Sequence, residues 1–359
     1  MVEQVGIAVL GCGYWGVNYV RVFNEIPDTR VVVACDQRPE RVREIAQRYP
    51  GVAVTTDVAE ALATPGVDAV VVCTEATSHH RVARECLRAG KHVLVEKPIA
   101  TTSEDAGDLI AAAAARKLTL MVGHTFLYNA GVQRVKEYID RRELGRIYYL
   151  YARRTNLGPI RRDVNALWDL APHDISIFNY FMGTAPLWVS AVGSRALRNG
   201  REDVGFIVLG YPDNVLGQIH VSWADPHKVR EVVVVGSDKR IVFNDLQTME
   251  QVRVFEKGVA PLMQNGEGYS GDQLVVRDGD IISPSIQPRE PLKTLASHFA
   301  DCVIHGRRPL TDGAAGRDVV RVLEAVDKSM AMRGTPVELV STEESLYVYP
   351  AESASHPLR

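Results

Sequence analysis

The sequence predicts an α/β chain: a parallel sheet wound with helices in its first third, then an α+β second domain with a large open, mostly antiparallel sheet. Three observations predict it. Up to residue 124, short unalternating apolar runs recur between helical stretches, the pattern of a parallel sheet covered on both faces. A glycine-rich segment, residues 11–16, joins the first apolar run to the first helical stretch. Beyond residue 124 several strand-like runs follow one another without helices of crossover length between them, which favours antiparallel or mixed pairing.

Each element follows from local pattern. Residues 5–10 read as a buried strand, followed by a helix to about residue 25. Residues 30–35, 52–54, 68–73, 92–95 and 119–122 are the further strands, and 40–48, 57–63, 80–89 and 103–115 the helices. Gly90 stands where the third of those helices must be capped, and Thr102 with Asp105 has the form of a capping box. Past His124, residues 132–141 read as helix and 146–154 as a tyrosine-rich strand. Residues 172–182 read as a helix, with Pro172 in its first turn and Gly183 just past its end. Strands are expected at 187–192, 204–209, 215–223, 229–235, 240–243 and 251–255. Residues 258–290, rich in Gly, Pro, Asp and Ser, read as a long surface excursion; 292–305 and 314–332 read as closing helices, and 353–359 as a frayed end. The expected division is 1–124, 125–350 and a tail at 351–359.

Composition bounds the function. A chain of 359 residues with 46% hydrophobic content supports a full core. Lys and Arg number 41 against 44 Asp and Glu, a net charge of -3, which argues against an unselective binder of nucleic acid. No apolar stretch is long enough to span a bilayer, and the N-terminus reads as a buried strand rather than a signal peptide. The five cysteines, Cys12, Cys35, Cys73, Cys86 and Cys302, form no CxxC pair. They read as reduced thiols of a cytoplasmic protein, with no metal site expected.

The sharpest motif is Gly11-Cys12-Gly13-Tyr14-Trp15-Gly16 after a buried strand and at a helix start. Gly11 suits the tight turn, Gly13 a close approach of backbone to a pyrophosphate, and Gly16 close packing of helix on sheet. Asp36 ends the second strand, where a carboxylate accepts both ribose hydroxyls and repels a 2′-phosphate. The pattern predicts a Rossmann domain that binds NAD in preference to NADP. Gln37 and Arg38 follow that carboxylate, and Arg38 is suited to stack on adenine or to meet a phosphate.

Nearly the whole chain resembles the glucose–fructose oxidoreductase, inositol dehydrogenase and related sugar dehydrogenase family (Gfo/Idh/MocA). The resemblance runs from Gly11, Gly13 and Gly16 to the segment Thr74–His79, where Glu75 replaces the family's usual proline and His79 matches its histidine. Glu96-Lys97-Pro98 matches the family's most specific motif, Asp169-Leu170-Ala171-Pro172-His173 its Asp-x-x-x-His, and Thr311-Asp312-Gly313 its C-terminal half. The resemblance implies a catalytic Lys97, a cis bond before Pro98, and His173 as acid/base partner with Asp169 beside it. It also implies a second domain whose open sheet joins the subunits of a homodimer or homotetramer.

The segment from Arg154 and Asn156 to Arg161, Asp163 and Asn165 is most similar to members acting on nucleotide-linked amino sugars or uronic acids, often at carbon 3. Thr74, Glu75, His79, Glu96 and Lys97 are therefore expected beside the cofactor with the glycine loop. Lys97, Tyr128, Arg154, Asn156, Arg161, Asn165, Trp168, Asp169 and His173 are expected at the sugar. Arg153 and Arg162 add to the same basic stretch, since guanidinium forks suit phosphate or carboxylate oxygens. His173 is expected to titrate in the useful range without strong tuning. The immediate base, Lys97 or His173, stays open. A cyclitol or free-sugar dehydrogenase, and a dinucleotide-binding regulatory protein without turnover, are the competing readings.

Overall fold

In the computed structural model of the protein, residues 4–158, 160–161, 163–197, 200–261 and 274–339 are described. The expected tail at 351–359, its frayed end, Pro159 and Arg162 lie outside these residues.

The first third builds one six-stranded parallel sheet. Its strands are β1 (Val5–Leu10), β2 (Thr29–Cys35), β3 (Ala53–Thr55), β4 (Ala69–Val72), β5 (His92–Val95) and β6 (Leu120–Val122), in the order β3-β2-β1-β4-β5-β6. Helices α1 (Tyr14–Glu25), α2 (Pro39–Arg48), α3 (Val58–Ala63), α4 (His79–Arg88) and α5 (Ser103–Ala115) connect them. Every residue of β1 and β4 is buried, which is why these strands read as continuous apolar runs. Strand order reverses between β1 and β4, so the crevice beyond their C-terminal ends is where such sheets bind ligands. Gly90 closes α4 at φ 75°. Its N–H donates to the Leu87 carbonyl at 3.0 Å, and the Lys91 N–H donates to Cys86 at 3.1 Å, a Schellman arrangement. Only half of the expected box forms before α5. Thr102 Oγ1 accepts from the Asp105 N–H at 3.1 Å, while the Asp105 carboxylate stands 3.4 Å from His80 Nδ1.

The second part begins with α6 (Ala130–Asp140), β7 (Ile147–Thr155) and α7 (Ala166–Met182). Then come β8 (Trp188–Ser194), β9 (Val204–Gly210), β10 (Leu216–Ser222), β11 (Val229–Gly236), β12 (Arg240–Asn244) and β13 (Val252–Phe255). Strands β14 (Gly258–Pro261), β15 (Leu274–Arg277) and β16 (Ile281–Ile282), helices α8 (Pro291–His305) and α9 (Gly313–Ala331), and β17 (Val337–Glu338) complete it. The large sheet has nine strands in the order β16-β13-β12-β11-β7-β10-β9-β8-β17, and β7 with β10 is its one parallel pair. Of the segment 258–290, residues 262–273 lie outside the described residues, and the rest differs from a plain excursion: β14 pairs with β15, and β16 extends the large sheet.

Helix α7 starts at Ala166, six residues before the expected start, and Pro172 lies inside it. Asn165 explains the early start, because its side chain accepts from the Trp168 N–H at 3.0 Å and so caps the first turn. Pro172 removes one donor within the helix, but α7 continues to the left-handed Gly183. The helix is buried along most of its length against β7, β9 and β10. Helices α8 and α9 return to the first sheet: α8 packs on α1, and α9 on α5 as well as β8. The Val122 N–H donates to the Thr311 carbonyl at 2.7 Å, which ties β6 to the start of α9. The two sheets are thus joined through α8, α9 and the edge strand β6.

Candidate active site

The loop between β1 and α1 shows why glycine is needed. Gly11 has φ +94°, and a Cβ there would lie 2.7 Å from the Cys73 carbonyl oxygen. A Cβ on Gly16 would lie 1.8 Å from the Gly11 oxygen. Above Gly13 the space is open, with Arg38 Nη2 nearest at 4.0 Å. Helix α1 has no side-chain cap, so its first N–H groups remain available to an anion. A groove of about 620 Å³ runs over this loop. Gly11, Gly13, Tyr14, Trp15, Asp36, Gln37, Arg38, Thr74, Glu75, His79, Glu96 and Lys97 line it; Gly16 packs beneath the loop instead.

Asp36 is more occupied than its sequence position suggests. Its Oδ1 accepts from Arg38 N and Arg38 Nε, both at 2.9 Å, and its Oδ2 from Cys12 N at 2.8 Å and Arg38 Nη2 at 2.9 Å. Burial pushes the carboxyl up, but the Arg38 guanidinium and the two backbone N–H groups outweigh it and leave it below the ordinary value. These four donors fill the acceptor sites of a carboxylate. A further donor reaches Asp36 only as one of these bonds is given up. His79 braces the groove as well as lining it, with Nδ1 2.7 Å from the Pro98 carbonyl and Nε2 3.0 Å from that of Thr74.

A second cavity, of about 410 Å³, opens against the first. Tyr14, Trp15, Glu96 and Lys97 line both, so Lys97 sits at their junction. The Lys97–Pro98 bond is cis. Lys97 Nζ donates to the Asp169 carbonyl oxygen at 2.7 Å and to Asp169 Oδ1 at 3.3 Å. Glu96 is buried; it accepts from Tyr19 Oη at 2.8 Å and from the Lys97 N–H at 3.1 Å. Burial pushes its carboxyl up against the pull of Lys97 and Tyr19.

His173 stands one turn beyond Asp169 on α7 and lines the second cavity. Its ring meets Phe126 edge-on at 5.0 Å, and Nδ1 has no hydrogen-bond partner among the described residues. Burial, then the charges of Lys97, Arg154, His124 and Arg230, lower its pKa well below the ordinary value. The expectation of a histidine titrating near neutrality is therefore corrected: this imidazole is neutral at pH 7.

The arginines of the basic stretch separate. Arg154 lines the second cavity, with its fork on buried Asp174 at 2.9 and 2.8 Å and its guanidinium 4.3 Å above the Phe126 ring. Arg153, its neighbour on β7, points to the opposite face of the sheet and lines a third cavity with Phe206 and His220. Arg161 borders the dinucleotide groove rather than the second cavity and donates to Asp163 and Asp169. Asn156 lines the second cavity.

Tyr128, Asn165 and Trp168 border neither cavity. Tyr128 is buried with its hydroxyl 3.2 Å from Thr311 Oγ1. Asn165 is spent on capping α7 and on Glu202 at 3.3 Å, and Trp168 on a 2.8 Å bond to Asp327. Phe126, Asn129, Arg230 and Asp245 line the second cavity without having been singled out. Asp245 accepts from Asn129 at 3.2 Å and from Arg230 at 3.1 Å. No local motif announces them, because they come from three separate segments. Among the described residues no helix is long and apolar enough to cross a membrane.

A Rossmann groove that meets a second cavity at a buried lysine defines a dinucleotide-dependent oxidoreductase. The chain belongs to the Gfo/Idh/MocA oxidoreductase family: the family's NAD-binding Rossmann model matches residues 5–124, and its C-terminal domain model matches residues 132–242. The chain is 32% identical over 185 residues, 49% of its own length, to a 4-carboxy-2-hydroxymuconate-6-semialdehyde dehydrogenase from Sphingobium sp., and spans 59% of that relative. It is 25% identical to a UDP-N-acetylglucosamine 3-dehydrogenase from Acidithiobacillus ferrooxidans, covering 87% of this chain and 93% of that one. Among solved structures, GenD2 from gentamicin A biosynthesis, in complex with NAD, superposes with a TM-score of 0.80 at 27% identity, covering 95% of this chain and 98% of GenD2.

Proposed function

We propose that this oxidoreductase moves a hydride between NAD and a secondary alcohol of a sugar, at carbon 3 of a nucleotide-linked amino sugar or uronic acid. One observation carries the reading: Lys97, at the junction of the second cavity with the dinucleotide groove, shares the lining of that cavity with His173. NAD, when bound, supplies the hydride acceptor or donor. Lys97, held by two oxygens of Asp169, is placed to donate to the substrate oxygen and to stabilise alkoxide character there. Neutral His173 offers an acceptor for the hydroxyl proton. Its imidazolium is disfavoured by burial and by the cations around it, which favours returning that proton to the sugar oxygen when the reaction runs from ketone to alcohol. Asp169 orients Lys97. Arg154, Asn156 and Arg230 border the space left for the sugar and its substituents.

The same reading divides the chain at 124/125, with 351–359 as a tail. It makes the protein a homodimer or homotetramer joined through the outer face of the nine-stranded sheet. It also makes it cytoplasmic, where its five free cysteines stay reduced.

The deciding experiment offers UDP-N-acetylglucosamine, a UDP-linked uronic acid, glucose and myo-inositol with NAD and with NADP, and follows the absorbance of the reduced nicotinamide. NAD-linked turnover of a nucleotide sugar is the expected result. Turnover of myo-inositol alone would replace the reading with a cyclitol dehydrogenase. Cofactor binding without turnover of any sugar would replace it with a dinucleotide-binding regulatory protein.

A further inference from the structure

The carboxylate of Asp169 is held from three directions. Lys97 Nζ and Arg161 Nη1 each stand 3.3 Å from Oδ1, and Trp223 Nε1 donates to Oδ2 at 3.3 Å. Lys97 and Arg161 border the cavities. Trp223 borders neither and is buried, so its indole reaches Asp169 from behind the wall of the site.

The mount of that indole is firm. Trp223 follows directly on β10, and its N–H donates to the Asp203 carbonyl at 2.8 Å. Asp203 is itself buried, and its carboxylate takes the N–H groups of Ala196 and Leu197 at 2.9 and 2.6 Å. On the far side, the Ala224 N–H donates to Ser222 Oγ at 3.0 Å.

A carboxylate turns easily about its last torsion, whose energy profile is broad. Two cations on Oδ1 do not fix which oxygen serves them, because a half-turn exchanges Oδ1 for Oδ2. A donor on Oδ2 removes that freedom. Indole suits the task, since it is a donor only and carries no charge at any working pH. We infer that Trp223 is a positioning residue: its N–H pins Oδ2 of Asp169, keeps Oδ1 turned to Lys97, and so holds the Lys97 ammonium at the junction of the two cavities. The inference rests on the reading of Lys97 as donor to the substrate oxygen.

The test has one arm that needs turnover and one that does not. The chain has four tryptophans, so ¹⁵N-labelled, NAD-loaded protein gives four indole signals. Trp223→Phe identifies the relevant one; if that variant does not fold, Trp15→Phe, Trp168→Phe and Trp188→Phe identify it by elimination. Asp169→Asn must move this signal. A signal indifferent to that change overturns the proposal.

Activity is then read with UDP-N-acetylglucosamine and myo-inositol as probes. In Trp223→Phe, kcat falls about tenfold, while KM and the NAD Kd stay within about twofold. The deuterium isotope effect on the carbinol carbon rises, because hydride transfer has become slower. Trp223→His, which keeps a ring N–H, recovers at least half of the loss. Parent-like kcat in Trp223→Phe, or equal impairment of the two variants, overturns the proposal. If the unaltered protein turns over neither of these probes nor a UDP-linked uronic acid, the functional reading fails, and the indole signal still decides whether Trp223 holds Asp169.

Discussion

Lys97 is buried yet keeps oxygen partners, the condition under which an ammonium is tolerated away from water. Replacing it by methionine keeps most of the stem and removes the donor. Lys97→Met and His173→Ala should each lower kcat at least about a hundredfold, with NAD affinity within a few-fold by fluorescence titration. Near-parent turnover in both would end their assignment to the proton route. Asp36 supports a second prediction. Its acceptor sites are filled partly by Arg38, a cation that also softens the repulsion of a 2′-phosphate. Arg38→Ala should therefore raise the preference for NAD over NADP by roughly tenfold, read as the ratio of the two dissociation constants; an unchanged ratio would show that Arg38 plays no part in selection. At this scale the sequence was legible wherever chemistry sits at a strand end. Gly11, Asp36 and Lys97 each follow a buried apolar run that fixes their place. It was not legible where a side chain had to be assigned a face or a partner. Strand alternation separates Arg153 from Arg154, but nothing local tells which of them faces the cavity, that Arg161 reaches the cofactor groove, or that Trp168 is committed to Asp327. The burial that lowers the His173 pKa comes from segments far apart in the chain.

Elements were legible when their signals were short in range. The capping glycines Gly90 and Gly183 both stand in left-handed conformations, and the strand–helix alternation up to β6 follows the apolar runs. The start of α7 was missed because Pro172 resembles a first-turn proline, whereas the operative signal was Asn165, a cap three residues before Trp168. Helix α9 carries a different tension, because Asp318 on it is buried. Burial pushes its carboxyl up to about 6 in spite of Arg321 and Arg317, and the nearest Arg321 nitrogen is 3.7 Å from Oδ1. The unfolded chain holds the group near its ordinary, lower value. The folded state therefore binds the proton more tightly, and the associated stability is present below the unfolded value and lost as pH rises through about 6. The loss amounts to roughly 3 kcal/mol at neutral pH. Asp318→Asn should accordingly raise the melting temperature at pH 8 and leave little difference near pH 4. A difference of the same size at both would assign the effect to something other than ionisation.

At the scale of the molecule, the nine-stranded sheet has two unequal faces. Helix α7 covers the inner one, where Arg154 meets Asp174 and the second cavity begins. The outer face carries Val192, Phe206 and Leu216, exposed at 48%, 45% and 44%. The cross-strand register places Val192 beside Phe206, Phe206 beside His220, and Leu216 beside Tyr149. The Phe206 and His220 rings stack at 4.4 Å. An apolar stripe spanning neighbouring strands is costly to leave in water, and a second copy of the same face can cover it through a two-fold axis. The edges do not offer that route so readily, since β16 and β17 have only two residues each, and short edge strands resist edge-to-edge pairing. A charge placed in the middle of the stripe should therefore separate the subunits. Phe206→Glu is expected to reduce the mass measured by light scattering from a multiple of 39.6 kDa to that single value, with NAD binding retained because the dinucleotide groove lies on the first sheet. An unaltered protein already at one chain's mass would sink the oligomer. A multiple that survives both Phe206→Glu and Leu216→Asp would move the interface to another surface, and the stripe would then need a different occupant.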